Sequence, residues 1–415
     1  MLSSFSLKAV VVALLATSLL TDAGSAHKKH GHHKPAHSSD AASHVKLSAY
    51  VTDWALPSKI AWSKLDHVYY AFSEPDKSGA LGQFDKNQLH SVVKQAHSNG
   101  KTVSLSVGGW TGSRYFSDLV KTSDSRASFA KNLVKAVSDY DLDGIDIDWG
   151  KYSKSQTDDY TLPNGVSCNS KDPADTDNFL ALMKLLRKQL GSKKLITAAV
   201  ATSPFYNSKQ TPSTSLDPAW GSTVDFLNVM VYDLAGMWNP TSGANSALKN
   251  NKEQGSVDLA IREWTAAGFP ANKLVVGCPF YGYLARTRKP ATSRSESVAY
   301  AGSAQIQGDK YDSKGADPCP GAKASFSGEY QYRSIVEQGI QKNRNDWTTF
   351  WDRKTLTPYA YNSKDKTMLT FDNPASLKAK ASYVVQNKLG GLMVWSLEMD
   401  DSKNSLLTAM QQVRR

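Results

Sequence analysis

The sequence predicts an α/β fold, a (β/α)8 TIM barrel with a small α+β insertion between its seventh and eighth strands. Short apolar segments alternate with amphipathic helical patterns eight times between residue 45 and the C-terminus, which is typical of a parallel barrel. The stretch between Phe280 and Gly391 is too long for a loop and indicates an inserted unit. A doubly wound open sheet is the alternative, but no glycine-rich phosphate loop follows the first strand to support it.

The eight predicted strands are short apolar segments, several of them apolar almost throughout, as expected where helices cover both faces of a parallel sheet. They lie at 45–52, 66–73, 102–108, 143–149, 194–200, 225–232, 273–280 and 391–396. Helical periodicity follows the third and fourth of them. Two apolar stripes with helical spacing are formed by Phe129, Leu133, Val134 and Val137 and by Phe179, Leu182, Met183 and Leu186.

The insertion sets the remaining boundaries of the predicted domain organisation. Residues 45–283 would hold barrel strands one to seven, and 372–415 would complete the barrel with strand eight and a final helix. Between them, 284–371 is rich in Tyr, Ser and Lys with clusters of Gly and Pro, and we interpret it as an α+β insertion on the upper rim of the barrel.

The N-terminus has the features of a secretory signal at 1–26. Lys8 precedes an apolar run that is too short to span a bilayer, and small residues suitable for cleavage follow. An N-terminal membrane anchor is the alternative. Residues 27–44 are rich in His and Lys and are predicted to form a disordered tail, with weak metal binding as the alternative to a solvated tail. We therefore expect a secreted, extracellular protein without membrane insertion.

Composition excludes several classes of protein. With 40% hydrophobic and 21% charged residues in 415, the chain is neither fibrous nor wholly disordered. A net charge of +11 without a basic stripe gives no reason to expect a nucleic-acid partner. Cys278 lies in an apolar strand and should be buried. Cys168 and Cys319 lie in polar loops and are the candidates for one disulfide, and no Cys/His spacing predicts a metal site.

The fourth predicted strand carries the candidate catalytic residues. It contains Asp143, Asp146 and Asp148 before Gly150, and the period of two places Asp146, Asp148 and Gly150 on one face. Two carboxylates on one interior face repel each other, so we expect them to titrate as a coupled pair. An accidental acidic cluster at a strand end is the alternative. Asp143 is out of phase, and a structural role for it is favoured.

These residues resemble the signature of glycoside hydrolase family 18, the chitinases and chitinase-like proteins, which reads D-G-x-D-x-D-x-E on strand four. Three further strands support the resemblance in the right order. They carry Ser106-Val107-Gly108-Gly109-Trp110, Met230-Val231-Tyr232-Asp233 and Gly391-Leu392-Met393-Val394-Trp395. Tyr50 to Trp54 and Tyr70 to Phe72 also match, and the loops look most like those of fungal members.

The resemblance implies a groove that binds chitin or chitooligosaccharides. Trp395 would form its floor, Tyr232 and Asp233 would hold the acetamido group, and Asp148 would lie below it. The complete set of implied substrate-binding residues is Tyr50, Phe72, Trp110, Asp148, Met230, Tyr232, Asp233, Trp238 and Trp395. For Tyr50, Phe72 and Met230, plain packing inside the barrel is the alternative. Hydrolysis in this family is assisted by the substrate's own acetamido group, so the resemblance implies no cofactor and no metal.

Gly150 is where the sequence departs from the family pattern. The family has a glutamate there, the general acid that protonates the glycosidic oxygen, whereas Gly150 has no titratable group. Only remnants of the catalytic set are present, namely Asp143, Asp146, Asp148 and Tyr232. The residues that follow, Lys151 and Tyr152, also differ from the family's usual pattern, which favours natural divergence.

Three functions remain open on the sequence. The favoured one is a secreted, monomeric protein that binds chitin oligomers without cleaving them, which would hide them from host immune sensing as an effector. The second is a family 18 endochitinase with residual activity, in which another group supplies the proton. The third is a barrel that binds a protein instead of a carbohydrate. The sequence thus favours a protein without enzymatic activity.

Overall fold

A computed structural model describes residues 45–149, 168–249, 254–292 and 297–414. The predicted signal segment, the His- and Lys-rich tail and Gly150 lie outside these residues.

The described chain forms a closed barrel of parallel strands, which confirms the predicted fold class. The barrel strands are β1 (Leu47–Thr52), β2 (His67–Pro75), β4 (Thr102–Gly108), β5 (Gly144–Asp148), β6 (Leu195–Val200), β7 (Phe226–Val229), β8 (Leu274–Pro279) and β14 (Gly391–Trp395). Their order is β1-β14-β8-β7-β6-β5-β4-β2, and β2 pairs with β1 to close the ring. A short strand β3 (Leu81–Gly82) pairs antiparallel with the end of β2.

The largest difference from the predicted strands is at β7. The sequence favoured a strand over 225–232, but β7 ends at Val229, so Met230 to Tyr232 lie beyond it. The Val231 carbonyl accepts a hydrogen bond from the Ser246 hydroxyl, and Asp233 adopts a left-handed backbone conformation with φ 56°. The apolar run continues past the end of β7 because the side chains of Met230 to Tyr232 are buried in the barrel mouth. Burial there does not require the main chain to pair with a neighbouring strand.

α-Helices connect the strands, and most of them cover the outside of the barrel. They are α1 (Lys86–Ser98), α2 (Gly109–Gly112), α3 (Phe116–Lys121), α4 (Ser123–Asp139), α5 (Asp175–Leu190), α6 (Ala219–Thr223), α7 (Val257–Ala266), α8 (Tyr332–Glu337), α9 (Pro374–Gln386) and α10 (Ser405–Met410). Asp85 caps α1, and Thr122 forms a capping box at α4. The predicted apolar stripes are the buried faces of α4 and α5, except that Val134 is only partly buried. No helix among the described residues is long and apolar enough to cross a membrane.

The insertion is a five-stranded antiparallel sheet with the order β10-β9-β13-β12-β11. Its strands are β9 (Tyr281–Arg286), β10 (Glu329–Gln331), β11 (Trp347–Asp352), β12 (Thr357–Asn362) and β13 (Thr367–Thr370). Because β9 starts directly after β8, the sheet rises from the end of the barrel at which the parallel strands terminate. The predicted insertion, 284–371, covers all of this sheet except the first residues of β9.

Candidate functional site

The carboxyl ends of the barrel strands form the mouth at which the site lies, as in other barrels of this type. Asp146 and Asp148 face the barrel interior from β5, as the period of two predicts. The out-of-phase residue Trp149 packs against Phe116 and Phe179, with ring centroids 5.4 and 5.1 Å away. These contacts to the outer helices fix the end of β5 and so the direction of its two carboxylates.

Asp146 is completely buried and lies at the centre of a hydrogen-bond network. Its carboxylate accepts hydrogen bonds from the Tyr50 hydroxyl at 2.7 Å, the Ser106 hydroxyl at 2.8 Å and the Thr197 hydroxyl at 2.6 Å. Burial raises the pKa of Asp146, and these donors oppose that rise. The network therefore holds the carboxylate rigidly below the mouth.

Sequence reasoning missed Ser106 and Thr197 as partners of Asp146. Asn228, which donates to the same carboxylate at 3.5 Å, was missed as well. A signal existed, because Thr197 and Asn228 are polar residues within strongly apolar strands. A barrel interior is normally aliphatic, so polar side chains at interior positions indicate a buried polar partner.

Asp148 lies above Asp146, with a relative exposure of 6%. Burial raises the pKa of Tyr232, and the nearby charges of Asp148 and Asp233 raise it further, so Tyr232 stays a neutral donor. The main-chain carbonyl of Asp148 accepts a hydrogen bond from the Ser113 hydroxyl at 2.9 Å. Asp148 and Tyr232 therefore lie close enough for the charge of Asp148 to act on the Tyr232 hydroxyl.

Both glycines of the strand-three motif lie so close to neighbouring atoms that a larger residue would not fit. Gly108 has φ +110°, and a Cβ there would lie 2.1 Å from the Asp148 carbonyl oxygen. A Cβ on Gly109 would lie 2.8 Å from the Phe72 ring. The Gly-Gly pair thus lets β4 pass close to both the carboxylate strand and the aromatic floor.

Aromatic rings form the floor of the mouth. Phe72 and Trp395 stack at a centroid distance of 5.4 Å with an interplanar angle of 21°, and both are partly exposed. Tyr50 lies 5.4 Å from Trp395 but is only 1% exposed, and Met230 is only 5% exposed. Phe72 and Trp395 are therefore available for contact, whereas Tyr50 packs behind them and Met230 is buried.

Asp233 is held by the insertion. Its carboxylate accepts hydrogen bonds from the Tyr281 hydroxyl and, at 2.8 Å, from the Tyr283 hydroxyl, and its main-chain NH donates to Asn245. Trp238 packs edge-on against Tyr283 at 5.1 Å. The alternating Tyr281-Gly282-Tyr283 of β9 was the sequence signal for this wall, and sequence reasoning did not use it.

Trp110 lies on the opposite rim, in α2 directly after β4. Its ring is partly buried, and its Nε1 donates a hydrogen bond to the carboxylate of Asp317 at 3.1 Å. Asp317 belongs to the insertion, so this bond joins two sides of the mouth. Sequence reasoning placed Trp110 in the groove but did not identify this partner.

Asp143 lies apart from the mouth. Its carboxylate accepts a hydrogen bond from the Val103 NH at 2.9 Å and contacts the His97 ring nitrogen Nε2 at 2.9 Å. Both partners belong to the neighbouring β4 and α1. The position fits the structural role that the sequence favoured for this residue.

We predict that Asp143→Ala lowers the free energy of unfolding by about 1–3 kcal/mol, because the Val103 NH loses its acceptor. Urea denaturation measures this loss. A variant with the stability of the parent protein would contradict the structural role.

The described residues contain one disulfide and one free cysteine. Cys168 and Cys319 form a disulfide, and Cys278 is a buried free thiol whose pKa burial raises to about 12. No group of side chains within the described ranges could hold a metal ion.

Comparisons with known proteins agree with this geometry. The family described as glycosyl hydrolases family 18 matches residues 46–400. A chitinase-like effector of Moniliophthora perniciosa is 31% identical over 97% of this chain and 97% of its own length. The crystal structure of a chitinase from Rhizomucor miehei superposes with a TM-score of 0.85 at 50% identity, covering 89% of this chain and all of that one.

A third comparison adds a structure with a bound sugar. A mutant of the second catalytic domain of the Ostrinia furnacalis group II chitinase, in complex with penta-N-acetylchitooctaose, is 26% identical and has a TM-score of 0.71. The match covers 89% of this chain and 96% of that one. Together, the barrel, the strand-four carboxylates and these similarities show that the chain belongs to the glycosyl hydrolases family 18.

Proposed function

We propose that this protein binds chitin or its N-acetylglucosamine oligomers in the barrel mouth and does not hydrolyse them. One observation carries the proposal. The aromatic floor of Phe72 and Trp395 and the hydrogen-bonded Asp146 are intact, whereas the residue that follows Trp149 is Gly150. The binding surface is thus kept and the proton donor is missing.

Losing the general acid should reduce the rate of hydrolysis far more than it reduces binding affinity. A positioned general acid contributes roughly 10²–10⁴-fold to the rate, and an alkoxide leaves poorly without protonation. One missing side chain removes about one hydrogen bond from binding, roughly 0.5–1.5 kcal/mol. The loss therefore falls on turnover far more than on affinity.

The similarities support the binding part of the proposal and a role as an effector. The relative from Moniliophthora perniciosa bears the name chitinase-like effector, and the Ostrinia furnacalis structure holds a chitooligosaccharide. We propose that this protein is likewise secreted, through the signal at 1–26, and that it keeps oligomers from host immune receptors. That role needs only tight binding of intact sugar.

Calorimetric titration of the mature protein with chitohexaose, followed by product analysis of the cell contents, tests the proposal. Binding with intact sugar supports it. Shortened products would mean that another group has replaced the missing acid and that the protein is a residually active chitinase. Neither heat nor products would favour the protein-binding barrel.

We predict that Trp395→Ala weakens chitohexaose binding by about 10- to 100-fold, because buried aromatic contacts of this kind dominate binding energy. Trp351→Ala is the matched control. Trp351 is 37% exposed on β11, the edge strand of the smaller sheet, and its removal should leave affinity unchanged. Equal affinity in both variants would place the binding surface elsewhere.

A further inference from the structure

A long loop of the insertion is bonded to the side of the barrel that carries β4 and β5. We call residues 308–328 the strap. It leaves the insertion after β9 and returns at β10, and Asp312 fixes its base. The Asp312 carboxylate is buried and accepts hydrogen bonds from the NH groups of Gly308 and Gly328, at 2.8 and 2.9 Å. It also accepts a hydrogen bond from the Ser327 hydroxyl at 2.9 Å, so Asp312 joins both ends of the strap.

The middle of the strap is ordered by its own main chain. Gly315 and Ser325 pair as an antiparallel bridge, with N–O distances of 3.1 and 2.9 Å in the two directions. The tip between them carries Asp317 and Cys319. The strap is therefore a stiffened hairpin with a fixed base and a defined tip.

Two bonds attach the tip to the far side of the mouth. Asp317 accepts the hydrogen bond from Trp110, which directly follows β4. Cys319 forms the disulfide with Cys168, which lies between β5 and α5. The second attachment is covalent, so thermal motion alone cannot detach the tip.

The strand order shows how far the strap reaches. The insertion that carries the strap follows β8, and the tip of the strap is attached beside β4 and β5. In the ring, β7 and β6 separate β8 from β5 on one side, while β14, β1 and β2 separate β8 from β4 on the other. The strap therefore joins opposite sides of the mouth.

We infer that the strap passes over the groove between these two sides and so restricts it to carbohydrate chains that present a free end. This inference rests on the proposed function, since it concerns which chitin chains the same groove accepts. A chain with a free end can thread beneath the strap. The interior of a long polymer, with both ends held in a chitin surface, cannot pass a covalently closed loop. Short soluble oligomers are thus the preferred ligands over crystalline chitin.

The test uses chitin oligomers long enough to project beyond the groove on both sides. Four forms are compared. One is free, one carries streptavidin at the reducing end, one carries it at the non-reducing end, and one carries it at both ends. The free and single-capped forms should bind the intact protein with similar affinity, and the double-capped form should bind at least about 100-fold more weakly. Equal binding of the double-capped form would overturn the inference, whereas no binding of the free form would reject the proposed function instead.

A disulfide-free variant provides the matched comparison. Cys168→Ser combined with Cys319→Ser should recover binding of the double-capped oligomer and speed association of the free one by about 10-fold, because the tip can then lift. Asp317→Ala, which keeps the disulfide, should still reject the double-capped oligomer. Circular dichroism and retained binding of the free oligomer show that both variants are folded. Continued rejection by the folded disulfide-free variant would also overturn the inference.

Discussion

Replacing Gly150 with glutamate should create measurable hydrolysis, with a rate at least about 10²-fold and up to 10⁴-fold above that of the parent protein. The period of two along strand four puts position 150 on the face of Asp146 and Asp148, so the new carboxyl should face the same groove. Under the proposed function, Asp148 beside Tyr232 would orient the substrate's acetamido group. Release of shorter sugars from chitohexaose measures the gain.

Gly150→Gln is the matched control, because glutamine has nearly the same size and cannot donate the proton. It should bind chitohexaose as the glutamate variant does and remain inactive. Adding Asp148→Asn to Gly150→Glu should remove the gained activity. Since Lys151 and Tyr152 also depart from the family pattern, we expect the gain to lie near the lower bound. A parent protein that hydrolyses as fast as the glutamate variant would contradict the proposed loss of activity.

The second large effect concerns stability, and it lies in a buried ion pair behind the site. Lys380 and Asp372 have completely buried side chains, and the Lys380 Nζ donates to both carboxylate oxygens, at 2.9 and 2.8 Å. The same amine donates to the Ser246 hydroxyl at 2.7 Å, and Ser246 in turn donates to the Val231 carbonyl. The pair thus connects α9 to the segment that carries Tyr232.

We predict that Lys380→Met lowers the free energy of unfolding by about 3–5 kcal/mol, because it leaves the Asp372 carboxylate buried without its cation. Urea denaturation monitored by tryptophan fluorescence measures the change. Chitohexaose affinity should also fall, since the Val231 to Asp233 segment loses part of its support.

The double variant Lys380→Met with Asp372→Leu separates charge burial from packing. Replacing both partners of a buried pair with apolar residues is often neutral or stabilising, so most of the lost stability should return. If the double variant is as unstable as the single one, packing around Lys380 would explain the loss instead of the unpaired charge.

The sequence was sufficient for the fold because the relevant patterns are local. Alternation of apolar strands with helical stripes determines which segments pair and which cover them, and the order of motifs along the chain located the mouth. At Met230 to Tyr232 the apolar run continues beyond the end of β7, so the local pattern placed the end of that strand too late. Apolar residues report burial, and burial in a barrel mouth does not require a strand.

The family resemblance named the candidate side chains of the mouth, and strand phase separated Asp143 from Asp146 and Asp148. Tertiary structure alone decided what these side chains do there. Asp146 receives its donors from four other strands, Asp233 is held by tyrosines of the insertion, and Lys380 bonds Ser246 across 134 positions of sequence. The strap reaches Trp110 and Cys168 only because the ring places β8 opposite β4 and β5. Such contacts depend on how a closed ring and its long loops bring distant segments together, and no local pattern encodes that path.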